Sequence, residues 1–193
     1  DRAVRYLRVY GTDDPLSSAP PLPLRDPPAL NATEAALMTS LQGAGLHPYH
    51  AHTGIERIAG CQNCLGVKCP KPCKMDGRSA GVEPALETGN AALMTSAKVT
   101  RLLEHDGNIT GVEVETDGTA RVLTAKRYVL AGGALGSARL LLASANAAHP
   151  TGLANSSDMV GRNLMFHLNE MFALWPPRGT PDSGATKAIS LRD

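Results

Sequence analysis

All four cysteines of the chain lie within one stretch of 13 residues, where converging thiols could bind a metal ion or form disulfides. They are Cys61, Cys64, Cys69 and Cys73, spaced C-x2-C-x4-C-x3-C. Short spacings with turn residues between them let thiolates approach one metal or one iron–sulfur cluster. The same four cysteines could form two disulfides in any of three pairings, or remain reduced thiols without a ligand. The spacing alone leaves these three states open.

A second stretch combines a short apolar run, several glycines and an apolar helix. Tyr128 to Ala131 is unbroken and apolar, which predicts a strand buried on both faces. Gly132 and Gly133 follow, and glycines at such a turn permit the close approach of another backbone or of a ligand. Ser137 is the predicted cap of the next helix, which continues through Leu142. The free N–H groups of a helix N-terminus suit a phosphate or a flavin edge, but an ordinary turn with no ligand has the same pattern.

The elements that would position these residues can be predicted from local signals. Two Asp-Gly pairs between alternating apolar runs indicate tight hairpins. They predict a meander of three strands over residues 99–104, 109–115 and 121–125, leading directly into the apolar run. Asn31, with Glu34 three residues later, predicts the capped start of a helix that ends near Gly43.

Composition excludes several function classes. The 193 residues carry a formal net charge of +1 and only 4% aromatic residues, which argues against a nucleic-acid partner. Apolar runs stay well short of the roughly 20 residues that span a bilayer, so we expect no transmembrane segment. The chain begins at Asp1 and ends abruptly at Asp193, and we expect both ends to be cuts within a longer protein.

The ordered set of motifs resembles the middle of the glucose–methanol–choline (GMC) oxidoreductases, from about Gly11 to His167. The segment from Gly133 to Ser144 is similar to that family's second signature, although Ala138 stands where proline is usual and Ala145-Asn146 where a glycine is usual. The remaining pieces of the resemblance are the segment 90–103, Thr110-Gly-Val-Glu-Val, Gly152-Leu-Ala-Asn, and Val160 to His167.

The resemblance implies an α/β protein, α+β within this fragment. It would contain part of a FAD/NAD(P)-binding Rossmann-like domain with an antiparallel meander, and part of a substrate domain. The implied division is a substrate-side and linker segment with the cysteine loop (1–89), part of the FAD-binding domain (90–146) and the start of the substrate-binding domain (147–193). The implied activity is oxidation of a CH–OH group in an alcohol, sugar or polyol by hydride transfer to flavin N5. The compartment, cytoplasmic or periplasmic, stays open.

Residue by residue, the resemblance implies FAD contacts at two places. One is an adenine-side backbone contact at Val99, and the other is a flavin-side turn formed by Ala131, Gly132, Gly133 and Ala134. No catalytic residue is assigned, because the family's catalytic histidine and its partner, a second His or Asn, would lie beyond Asp193 and its G-x-G-x-x-G before Asp1. His167 does not belong to that pair. The expected partners are the small-molecule substrate, the remainder of the same enzyme and an electron acceptor protein.

The cysteine loop falls where some sugar and polyol dehydrogenases of this family carry a three-iron cluster. Their spacing resembles Cys64-x4-Cys69-x3-Cys73, whereas the first cysteine here, Cys61, is two residues further away. An alternative function is a small metal- or iron–sulfur-binding electron-transfer module centred on this loop. A structural or interaction domain held by disulfides is the third hypothesis.

Overall fold

The structure is a computed structural model that describes residues 2–56, 58–59, 61, 69–171, 178–179 and 187–193. The chain forms two compact units, one of Asp1–Leu93 with Ala173–Asp193 and one of Met94–Phe172. In chain order the elements are α1 (Arg2–Tyr6), α2 (Ala32–Gly43), β1 (Tyr49–His50), a π-helical turn (Arg78–Val82), α3 (Glu83–Glu87), β2 (Ala97–His105), β3 (Asn108–Thr116), β4 (Thr119–Leu123), α4 (Gly133–Ala143) and β5 (Ile189–Ser190).

In the first unit, α2 begins with the predicted capping box. The Asn31 side chain accepts a hydrogen bond from the Glu34 N–H at 2.9 Å, and the Glu34 carboxylate accepts one from the Asn31 N–H at 2.9 Å. Two N–H groups that the first turn leaves without helical partners are thereby satisfied. The helix ends at Gly43, as the sequence predicted.

Short backbone pairings hold the rest of the first unit. Strand β1 pairs with β5, so that Tyr49 faces Ser190. A bridge between Ile55 and Lys74 ties the chain after the cysteine loop to an earlier segment. Beside it, the Glu56 N–H donates to the carbonyl of Cys73 at 2.7 Å. The C-terminal end of the cysteine loop is therefore fixed by backbone hydrogen bonds.

The second unit contains the predicted meander as an antiparallel sheet in the order β2-β3-β4. Both connections are the predicted Asp-Gly turns. Asp106 and Gly107 have φ of 50° and 76°, and Asp117 and Gly118 have φ of 49° and 75°. Positive φ at both central residues gives a turn whose twist matches that of the flanking strands. The local sequence signal is thus sufficient to determine both hairpins.

Helix α4 packs against β2 and forms the core of the second unit. Leu102, Leu140 and Leu153 are buried together, with Val99, Ile109, Val112 and Leu141 packed around them. The chain after α4 returns close to the helix at Gly152, which has φ of +105°. A Cβ there would lie 2.9 Å from the Cα of Leu142, so only glycine allows this approach.

The predicted buried strand at 128–131 is not formed. These residues belong to no helix or strand in the described part of the chain, and Val129 is 89% exposed. A strand that is apolar on both faces needs a neighbouring strand on each side. The sheets described here are both antiparallel and offer it neither.

The described residues therefore show a mixed helix and strand architecture with small antiparallel sheets. This agrees with the coarse fold class predicted from the sequence. No helix among them has the length and apolar character required to span a membrane.

Candidate cofactor site

The glycine turn forms the N-terminus of α4. The helix begins at Gly133, and its N-cap residue, Gly132, provides no side chain to accept a hydrogen bond from the first turn. The prediction that Ser137 caps this helix is wrong, because Ser137 lies one turn inside it. The four predicted residues Ala131 to Ala134 are all exposed, so the N–H groups of this turn are accessible to a ligand.

The two glycines are required for different reasons. A Cβ at Gly132 would lie 3.1 Å from the Ser137 nitrogen and 3.2 Å from the Gly136 carbonyl carbon, so the helix itself leaves little room there. Gly133 has φ of +72°, a conformation that other residues rarely adopt, yet a Cβ would meet nothing within 4 Å. The space beside Gly133 is open in the protein, which is what a site for a closely approaching ligand requires.

Val99 lies in β2 at an irregularity in the sheet. It faces Val114 on β3, but Arg101 rather than Thr100 faces Glu113, so one residue is skipped in the ladder. Such bulges leave backbone groups outside the regular pairing and are frequent beside binding sites. The half-buried Val99 therefore lies at the position where the regular pairing of β2 with β3 is interrupted.

A mostly apolar cavity of about 680 Å³ connects this strand to the chain before the glycine turn. Its walls come from β2, β3, α4 and the chain before that turn, and include Val99, Leu102, Leu130, Leu140 and Leu153. The structure thus brings Val99 and Leu130, the residue before Ala131, to one cavity. Of the predicted turn residues, Ala134 instead lines a second cavity of about 470 Å³, together with Arg139 and Arg162.

Glu104 is a residue of this region that sequence reasoning missed. Its side chain is only 7% exposed and lines the larger cavity with His149, whose Nε2 lies 3.7 Å from Glu104 Oε2. Oε1 accepts from the Gly107 N–H at 2.6 Å, and Oε2 accepts from the Asn146 amide at 2.7 Å. These hydrogen bonds, the Gly107 one foremost, lower the pKa of Glu104. No sequence motif marks it, because two of its partners, Asn146 and His149, lie 42 and 45 residues away.

In the first unit, the three cysteines that the structure describes, Cys61, Cys69 and Cys73, lie near one another. The sulfur atoms of Cys69 and Cys73 are 3.0 Å apart, and these residues are 3% and 2% exposed. The hydrogen bond with Cys69, then burial, and then the nearby thiols of Cys69 and Cys61 raise the pKa of Cys73 to about 11. Without a bound cation, Cys73 is therefore a protonated thiol at neutral pH.

The described cysteines are reduced thiols. No disulfide bond joins Cys61, Cys69 and Cys73. Within the described ranges, no group of three or more His, Cys, Asp or Glu side chains is arranged to hold a metal ion. Cys64, the remaining predicted ligand, lies outside them. The proximity of the three thiols is the new observation, and the four-cysteine metal site stays a prediction.

Comparison with known proteins identifies the family. A family model described as GMC oxidoreductase matches residues 21–169, which includes the cysteine loop, the meander and the glycine turn. The chain belongs to the GMC oxidoreductase family. This confirms the family resemblance of the motifs, and it shows that the glycine turn and the meander both lie within the matched region.

Curated relatives of this GMC chain are oxidoreductases of several kinds. It is 33% identical over 129 residues to the fructose dehydrogenase large subunit of Gluconobacter japonicus, covering 65% of this chain and 22% of that protein. It is 38% identical over 86 residues to 2-methyl-1,2-propanediol dehydrogenase of Mycolicibacterium austroafricanum, covering 43% of this chain and 15% of that protein. It is 33% identical over 122 residues to 6'''-hydroxyparomomycin C oxidase of Streptomyces lividus, covering 62% of this chain and 22% of that protein. The chain spans about a fifth or less of these relatives' lengths.

Proposed function

We propose that this chain is part of an FAD-dependent oxidoreductase that oxidises a CH–OH group of an alcohol, sugar or polyol. The observation that carries the proposal is the family match across the accessible glycine turn and the meander. Relatives named as dehydrogenases of fructose and of a diol, and as an aminoglycoside oxidase, support this substrate class. The comparisons lend no support to a separate electron-transfer module.

The residues of the turn fit a flavin nucleotide. The first turn of α4 presents N–H groups that no side-chain cap occupies, and these are suited to an anionic or carbonyl-bearing edge. The open space at Gly133 would be filled by any side chain.

Within that reaction, this chain would bind and orient the cofactor. The backbone of Val99 would contact the adenine side, and Ala131 to Ala134 would lie at the flavin side. When bound, FAD supplies the acceptor for the hydride that leaves the alcohol carbon. No residue of this chain is proposed to take the hydroxyl proton.

The proposed fold context is a Rossmann-like domain of the complete protein. The apolar run 128–131 would become a strand there, because the remainder of the enzyme would provide the neighbours it lacks in the described sheets. Under this proposal residues 1–89 form a substrate-side and linker segment, 90–146 part of the FAD-binding domain, and 147–193 the start of the substrate-binding domain.

Anaerobic mixing of the full-length protein with a panel of sugars, diols and primary alcohols tests the proposal. At least one should bleach the visible flavin absorbance, since a reduced flavin absorbs far less in that region. An artificial electron acceptor should then restore the colour. A flavin-loaded protein that no CH–OH compound reduces, but that an amine or a thiol does, would assign the reaction to a different donor class.

We also propose that the cysteine loop holds an iron–sulfur cluster that passes electrons to an external acceptor protein. The support is the 3.0 Å approach of the Cys69 and Cys73 sulfur atoms, together with the family resemblance of the Cys64, Cys69 and Cys73 spacing. A cation would remove the penalty on ionising Cys73, since coordinating thiols bind as thiolates. Cys61 would be either a fourth ligand or a neighbour of the site.

Iron, sulfide and zinc analysis of the anaerobically purified full-length protein decides between the states of the loop. Stoichiometric iron and sulfide, lost together in Cys69→Ser, are the expected result. Absence of metal, with a mass two or four protons below that of the reduced chain, would replace the cluster with one or two disulfides.

A further inference from the structure

Ser144 is the most completely buried polar side chain among the described residues, with 1% exposure. It forms the C-cap of α4, at the opposite end of the helix from the glycine turn. A buried hydroxyl is costly unless it is hydrogen-bonded, so its partners indicate what the site requires.

The Ser144 hydroxyl joins the end of α4 to the open edge of the sheet. Its oxygen accepts a hydrogen bond from the Leu102 N–H of β2 at 2.9 Å. The same hydroxyl donates to the carbonyl of Leu140, one turn back in α4, at 2.6 Å. Strand β2 is the outer strand of the three-stranded sheet, so the hydroxyl satisfies a backbone donor that has no neighbouring strand.

Two further side chains of β2 hold the residues that follow Ser144. The Arg101 guanidinium donates to the carbonyl of Ala145. The Glu104 carboxylate accepts from the Asn146 amide at 2.7 Å. Three positions of one strand therefore bind three consecutive residues at the end of α4. We name residues 144–146, with their partners on β2, the α4 clamp.

The burial pattern of α4 shows why the clamp determines the helix position. Leu140, near the clamp, is the buried residue of the helix, whereas Leu135 in the first turns is 70% exposed. The fully buried contact of α4 is thus at its C-terminal end, next to the clamp. The helix has 11 residues and is about 16 Å long, so a rotation of about 5° at the clamp moves the glycine turn by about 1.4 Å.

The clamp lies on the same strand as Val99. Leu102 is three residues further along β2, a separation of about 10 Å. The helix that carries Gly132 and Gly133 at one end is thus attached at its other end to the strand that carries Val99. The separation between the two proposed FAD contacts therefore depends on the junction of α4 with β2, to which the Ser144 hydrogen bond and the apolar core both contribute.

We infer that Ser144 is a positioning residue, which fixes α4 against β2 so that the glycine turn and Val99 can engage one FAD molecule at the same time. This inference rests on the proposed function. If the Ser144 hydroxyl had a purely structural role, removing it would lower stability alone. A positioning role predicts in addition weaker FAD binding that the loss of stability does not explain, because a misplacement of about 1 Å is enough to impair a bound geometry.

The test compares Ser144→Ala with Asn155→Ala in the full-length protein. Asn155 is a matched control because it is also buried, at 5% exposure, and its side chain also makes two hydrogen bonds. These bonds, to the Thr151 carbonyl and from the Val160 N–H, lie outside the clamp. The melting temperature of the apoprotein and the FAD dissociation constant, from quenching of FAD fluorescence, are measured for each variant.

Both variants should lower the apoprotein melting temperature by several degrees. Ser144→Ala should raise the FAD dissociation constant about tenfold, whereas Asn155→Ala should leave it within about threefold of wild type. Arg101→Gln removes only the bond to the Ala145 carbonyl and should weaken FAD binding in the same direction, which decides the matter if Ser144→Ala does not fold.

Equal loss of stability with unchanged FAD affinity in both clamp variants would show a structural role and overturn the inference. Wild-type protein that binds no FAD would refute the proposed function itself, and the inference with it. The two failures are therefore distinguished by the wild-type measurement.

Discussion

Replacing Gly133 by alanine should weaken FAD binding in addition to destabilising the protein. Gly133 has φ of +72°, and holding an L-residue in the left-handed region costs about 1–2 kcal/mol. The added Cβ meets no protein atom within 4 Å, so the backbone term is the whole cost in the apoprotein. If the open space belongs to the cofactor, the methyl group adds a second cost that appears only when FAD binds.

The second cost should be at least tenfold in the FAD dissociation constant, which corresponds to about 1.4 kcal/mol. Gly136→Ala is the matched control, because Gly136 lies inside α4, has no positive φ, and also has nothing within 4 Å of its Cβ position. Alanine is favoured over glycine in a helix interior by about 0.5–1 kcal/mol, so the control should be slightly stabilising and retain FAD.

The assay is urea unfolding of the full-length apoprotein, followed by FAD titration of each variant. Gly133→Ala is expected to be less stable than wild type and to bind FAD at least tenfold more weakly. Gly136→Ala is expected to be as stable as wild type or more stable, and to bind FAD normally. A Gly133→Ala protein that loses stability and keeps its FAD affinity within twofold would refute a close approach of the cofactor at this turn.

Three further predictions follow from named contacts. In metal-free protein at pH 8, Cys73 should react with iodoacetamide roughly a hundredfold more slowly than a thiol of pKa 9.0, because its pKa is raised to about 11. The stability that the protonated thiol contributes is complete below pH 9 and is lost as the pH rises through 11. Rapid alkylation of Cys73 in the native protein would contradict the raised pKa. Asn31→Ala should cost about 1 kcal/mol of unfolding free energy and Asn31→Asp much less, as measured by urea unfolding; equal losses would mean that the cap bond is unimportant. The hydrogen bonds of the Glu104 carboxylate lower its pKa, so they stabilise the fold above the ordinary carboxylate pKa, and this stability is lost as the pH falls through the lowered pKa. Glu104→Gln should therefore reduce the loss of unfolding free energy at acidic pH. An unchanged acid dependence of the unfolding free energy would exclude this contribution.

The features that the sequence predicted correctly depend on neighbours within a few residues. The capping box requires only Asn31 and Glu34, and each hairpin requires only an Asp-Gly pair between alternating runs. The helix after the glycine turn was predicted from its apolar spacing, although its cap was not. Ser137 was predicted as the cap from its residue type, whereas the helix begins one turn earlier, at Gly133, which has positive φ.

The features that the sequence did not predict depend on residues far apart in the chain. The run 128–131 has the composition of a buried strand, but strand formation requires partners, and the described sheets provide none. Glu104 and Ser144 acquire their roles from contacts across 42 residues, which no local pattern indicates. The short spacing of Cys69 and Cys73 allows their 3.0 Å approach, but the spacing did not determine their ligand.

The FAD content of the full-length protein that carries this chain tests the central claim most directly. The protein would be purified without added flavin, denatured, and its released flavin quantified and identified by chromatography. The account predicts FAD close to one per polypeptide in wild type and a substantially lower ratio in Gly133→Ala. Wild-type protein that is folded, contains no flavin and takes up none on incubation with FAD would contradict it.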